Sequence, residues 1–105
     1  MERFVKDPEA VLDYSFDWSN WLDSTSTPKE TISTQTVTVP TGLTLDTSSI
    51  TDGTNDAGTS MTDSVVQAWI SGGTAGADPY RVECLITTSA GRTDERSLWI
   101  TVQER

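Results

Sequence analysis

The 105 residues of this chain leave room for one domain with one modest core. Its formal net charge of −9 excludes nucleic-acid binding through a general basic field, and no apolar run is long enough for a membrane-spanning helix. Histidine is absent and Cys84 is the only cysteine, so the usual general base at neutral pH, the commonest zinc ligand and an internal disulfide are all missing.

Residues 1–9 read as a charged leader, followed by a single domain over residues 10–105. The leader, which includes Glu2, Arg3, Phe4, Val5, Lys6 and Asp7, lacks the apolar stretch of a secretory signal. It also lacks the apolar content to order by itself, and is expected to order on a neighbour. From Leu12 to Trp18 the alternation is strict. Leu12, Tyr14, Phe16 and Trp18 point one way and Asp13, Ser15 and Asp17 the other, which is the strongest strand signal in the chain. One helical turn at most fits residues 19–22, and residues 23–28 form a Ser/Thr loop.

Residues 31–39 are rich in β-branched side chains and predict a strand whose parity changes between Ile32 and Val37, the mark of a bulge. Pro40-Thr41-Gly42 breaks it. Residues 43–45 and 49–51 predict two short strands, and residues 52–63, nearly devoid of large apolar groups, predict a mobile polar loop. Residues 65–70 predict a strand with apolar residues on both faces, so its second face is covered by the fold or by a partner.

A glycine corner, Ser71-Gly72-Gly73-Thr74-Ala75-Gly76, leads to the last two strands. Tyr80, Val82, Cys84 and Ile86 share one parity, and so do Leu98, Ile100 and Val102 in the next strand, with a tight hairpin between. These seven residues are expected to be core, with Leu12, Tyr14 and Phe16 opposite or beside them. About seven strands punctuated by Gly and Pro predict an all-β, immunoglobulin-like β-sandwich. A start at Met1 and a final strand near the last residue are what a complete small gene product would show.

No catalytic constellation accompanies this pattern. Cys84 has no histidine to activate it, and its inward parity predicts a buried thiol. Asp13 and Asp17 share a strand face that reads as solvated. Asp52-Gly53-Thr54-Asn55-Asp56 lacks the spaced acids and distal Glu of a calcium loop and reads as a turn. The expectation is a protein that is no enzyme and holds no cofactor or metal. Trp18 is placed in the core and Trp21 at the end of the sandwich. Trp69 and Trp99 have outward parity, which fits protein-interface anchors, with sugar stacking or packing under the N-terminal segment as alternatives.

No Lys or Arg lies between Lys29 and Arg81, whereas Arg81, Arg92, Arg96 and Arg105 gather near the end. That polarity fits either solvated faces or a head-to-tail contact steered by opposite charge. The expected interface joins Glu2, Arg3, Phe4, Val5, Lys6 and Asp7 with Trp69, Trp99, Arg92 and Arg96.

Lys6-Asp7-Pro8-Glu9-Ala10-Val11-Leu12-Asp13-Tyr14-Ser15-Phe16-Asp17-Trp18-Ser19-Asn20-Trp21-Leu22 resembles the opening of a family of small tailed-bacteriophage virion proteins. The close is similar too: residues 69–76, Tyr80-Arg81-Val82 and residues 86–97. Residues 40–63 have no evident counterpart. Where relatives tend to carry a Gly-Asp turn after Trp-Leu, this chain has Ser24-Thr25-Ser26-Thr27-Pro28-Lys29. The resemblance implies a virion structural protein, some members being described as fibre–tail adaptors. It therefore implies partners among tail, fibre or spike proteins, a symmetric multi-copy assembly, no nucleic acid or membrane, and folding in the bacterial cytoplasm without disulfides. Two alternatives stand beside it. One is a capsid decoration or head–tail joining protein bound to the major capsid protein or connector. The other is a carbohydrate-binding adhesion module.

Overall fold

The computed structural model describes residues 2–104, with Glu2 through its backbone alone. Seven strands run in chain order: β1 (Glu2–Lys6), β2 (Leu12–Asp17), β3 (Ile32–Thr38), β4 (Leu43–Thr54), β5 (Ser60–Gly72), β6 (Tyr80–Thr88) and β7 (Thr93–Val102). They form two sheets, ordered β1-β7-β6-β3 and β2-β5-β4. All pairings are antiparallel except β1 on β7, which is parallel. This is the immunoglobulin strand order with the first strand carried over to the other sheet.

The core follows the parity of the sequence. Tyr14, Phe16 and Trp18 face Val82, Cys84, Ile86, Leu98, Ile100 and Val102 across the sandwich, and all are buried. Val66, Ala68 and Ile70 of β5 and Met61 complete the interior with no exposed surface. The bulge in β3 lies between Ile32 and Thr34, where its register on β6 shifts. Two core expectations change. Tyr80 is half-buried, because its ring closes the Gly42 corner at the rim. Leu12 has inward parity but is 39% exposed, since it begins its strand at the open end of the sandwich.

Three local expectations are also corrected. Residues 2–6 are not a loose leader: they are strand β1, and the neighbour that orders them is the chain's own β7. The two short strands predicted over 43–51 are one continuous strand, β4, bulged between Leu45 and Thr47 and between Thr51 and Gly53. The predicted polar loop over 52–63 is the end of the β4–β5 hairpin, with Gly53 opposite Met61 and Thr54 opposite Ser60. The hairpin turns on Asn55, whose side-chain Oδ1 accepts from the amides of Ala57 (3.1 Å) and Thr59 (2.9 Å).

The connections gather at two ends. At one, the β2–β3, β4–β5 and β6–β7 loops meet: the Asp56 amide donates to Asn20 Oδ1 (2.7 Å) and the Ser89 amide to the Thr31 carbonyl (2.8 Å). At the other lies the glycine corner, where the Gly73 amide donates to the Gly42 carbonyl (2.8 Å). Gly73 sits at φ +97° with its missing Cβ 2.5 Å from Val102 Cγ2, so only glycine fits there.

Candidate partner-binding surfaces

Strand β1 alternates between inside and outside. Phe4 packs edge-on against Tyr14, with ring centroids 5.1 Å apart. Lys6 is wholly buried, and its Nζ donates to the Asp7 carbonyl (2.8 Å) and the Gly72 carbonyl (2.7 Å). Burial pushes its pKa down, against the opposing pull of Asp7 and Asp46. Asp7 is half-buried and turns the chain, its Oδ1 accepting from the Glu9 amide (2.9 Å). Arg3 and Val5 point outward and are exposed. Of the six expected N-terminal interface residues, then, Arg3 and Val5 present side chains to the outside, while the side chain of Glu2 lies outside the described residues, as does Arg105.

The two outward tryptophans lie on opposite faces. Trp99 stands on the outer face of the four-stranded sheet in a row across three strands, Arg3–Trp99–Arg81. Neighbouring rows on that face bring Val5 opposite Thr101, Glu83 opposite Ser97, and Leu85 opposite Glu95. Val5 is 44% exposed and Leu85 42% exposed. Trp69 stands on the outer face of the three-stranded sheet in the row Asp13–Trp69–Thr47 and is 38% exposed. The sandwich separates Trp69 from Trp99, and only Trp99 is beside β1.

Arg92 and Arg96 are engaged within the chain. Glu30, with a side chain 2% exposed, receives Arg92 through Nε to Oε2 (2.9 Å) and through the second guanidinium nitrogen to Oε1 (2.5 Å). Thr88 Oγ1 donates to Glu30 Oε2 (2.5 Å) and the Asp23 amide to Oε1 (2.9 Å). Chiefly through the Arg92 hydrogen bonds, and then those of Thr88 and Asp23, the carboxyl is held down from 4.5 to about 2, against its own burial. The Arg92 guanidinium also lies 3.9 Å over the Trp21 ring. Arg96 donates to the Asp17 carbonyl, lies 4.9 Å from the Trp18 ring and sits 3.7 Å from Asp94, which itself accepts from Trp18 Nε1 (2.8 Å).

These contacts fasten the β2–β3 and β6–β7 loops to each other, and the Asp56–Asn20 hydrogen bond ties in the β4–β5 loop. A shallow groove of about 800 Å³ opens there, lined by Trp21, Asp23, Pro28, Ser89 and Arg92 among others. Sequence reasoning missed Glu30, Thr88 and Leu85. Glu30 and Thr88 lie 58 residues apart and meet only once β3 pairs with β6. Leu85 was legible as the one large apolar residue at outward parity in β6. Among the described residues, no cluster of three or more His, Cys, Asp or Glu side chains could hold a metal ion.

The model of one family, podophage GP4 fiber-tail adaptor protein gp77, matches residues 6–101. The chain belongs to this family. The match starts at the buried Lys6 and stops one residue short of the end of β7, so it takes in nearly the whole sandwich. It also runs through residues 40–63, the stretch without a counterpart in the sequence resemblance. No curated protein matches the chain significantly. Membership makes the chain a component of a phage virion, a tail-associated adaptor with tail and fibre proteins as its partners.

Proposed function

We propose that this chain is a non-enzymatic adaptor that holds a fibre or spike on the phage tail by presenting two rigid surfaces to two different proteins. The observation that carries the reading is the family match over residues 6–101, because it covers the sandwich and its loops together. Two features of the molecule support it. The loop end is fastened by the buried Glu30–Arg92 pair, which suits a surface that must keep its shape under load. The opposite, glycine-corner end is fastened separately through Lys6 and Gly72.

Three titratable side chains with perturbed pKa values are engaged in structure: Glu30 with Arg92, Lys6 with two carbonyls, Cys84 among apolar neighbours. On this reading the loop-end groove meets one partner, and the glycine-corner end meets the other.

Quantitative mass spectrometry of purified virions tests the location. A tail adaptor is present in about a dozen copies or fewer and remains with tails when heads are removed. Copies in the hundreds that stay with the capsid shell would favour a decoration protein instead.

A further inference from the structure

Directly beside a tryptophan, the two outer faces of the sandwich carry opposite charges, although the four-stranded face as a whole balances its arginines with acids. On the four-stranded sheet, Trp99 lies between Arg3 and Arg81 on its two neighbouring strands. On the three-stranded sheet, Trp69 lies between Asp13 and Thr47, with Asp17 further along the same face of β2. The first face also holds two acids, Glu83 and Glu95, displaced toward the other end of the sheet. Glu83 is paired with Arg81 at 3.3 Å, yet the Arg81 side chain stays 49% exposed.

We propose that copies of this chain associate face to face and unlike to unlike, the Arg3–Trp99–Arg81 face of one copy seating on the Asp13–Trp69–Thr47 face of the next. Charge complementarity selects this arrangement. Pairing two Trp69 faces would bring the aspartates together against like charge, whereas seating Trp99 against Trp69 sets Arg3 and Arg81 against Asp13. Unlike pairing joins the basic row to the acidic one and covers Trp69, Val5 and Leu85, the large apolar groups that the single chain leaves open on these faces.

A contact between two different faces of the same protein is heterologous. It propagates beyond two copies, as a ring where the rotation between copies closes and as an open stack where it does not, and does not end as a two-fold dimer. The net charge of −9 opposes association at long range, but that repulsion is screened beyond about 8 Å at physiological salt. The inference stands on the two faces and not on which virion proteins the adaptor joins.

Sedimentation velocity of the full chain at physiological salt tests it. The expected result is concentration-dependent association beyond a dimer. The double variant Arg3→Glu/Arg81→Glu and the single variant Asp13→Arg each shift the protein to monomer, and their combination restores association because the charges are exchanged. Trp69→Ala and Trp99→Ala each weaken association by about tenfold or more. All of these side chains lie on outer faces, and an unchanged β-sheet circular dichroism spectrum verifies folding. A protein that stays monomeric up to about 1 mM, one that stops at a dimer, or one whose assembly ignores both charge reversals overturns the proposal.

Discussion

Substituting either member of the Glu30–Arg92 pair separates what the two residues do. The Glu30 carboxylate is buried and bound by Arg92, Thr88 and the Asp23 amide, while the Arg92 side chain is 45% exposed and rests on Trp21. Arg92→Ala strands a buried carboxylate and should destabilise at neutral pH by more than Glu30→Gln does. Glu30→Gln removes the charge but keeps the shape and leaves Arg92 free to hydrate, so about 1–3 kcal/mol is expected.

The pH dependence distinguishes the pair from simple packing. The carboxyl binds its proton more weakly in the folded chain, about 2 against 4.5, so the folded state is favoured above 4.5 and the gain is lost as pH falls toward 2. That window is worth about 3 kcal/mol in the wild type. It should vanish in Glu30→Gln, and the deficit of Arg92→Ala should shrink on acidification as the stranded carboxyl takes its proton. Urea unfolding followed by tryptophan fluorescence, at neutral pH and in steps down to about pH 2, measures this. The reasoning is refuted if Arg92→Ala is as stable as wild type at neutral pH, or if wild type and Glu30→Gln lose the same stability across the window.

Ile100 has no exposed surface in β7, where it lies between Phe4 of β1 and Tyr80 of β6, so Ile100→Ala should cost about 2–5 kcal/mol in thermal or urea unfolding. Cys84 is fully buried and its thiol is pushed up to about 12 by desolvation. It should therefore label with a thiol reagent only at the rate of unfolding, and rapid labelling of native protein would contradict that placement. Lys6→Ala removes the donor to the Asp7 and Gly72 carbonyls. It should cost about 1–3 kcal/mol and raise amide exchange in β1 while β6 keeps its protection.

The strands legible in the sequence are those in which burial and chain parity agree. Tyr14, Phe16 and Trp18, then Val82, Cys84 and Ile86, then Leu98, Ile100 and Val102 face the core, and their alternation appears directly as apolar and polar letters. Strand β1 hid because its pattern is inverted. Val5 is outside and the buried Lys6 is inside, so a strand read by hydrophobicity alone disappears. The far half of the β4–β5 hairpin hid for a different reason. Over residues 52–60 it is held by backbone pairing and the Asn55 turn, with little apolar surface to bury, and its β-branched threonines were its only signal.

The candidate surfaces were half legible. Outward parity identified Trp69 and Trp99, but sheet order decides that they lie on opposite faces. The arginines looked like a partner's contact because their acidic and carbonyl partners, Glu30 and Asp17, lie 62 and 79 residues away in the chain.

The central claim is that this chain connects fibre or spike to tail. The most direct measurement is complementation of virions assembled without it. Electron microscopy of such particles should show filled heads and tails lacking fibres or spikes, and adding the purified chain together with the fibre or spike protein should restore attachment and infectivity. Particles that keep their fibres in its absence would contradict the account, as would attachment on addition of fibre or spike protein alone.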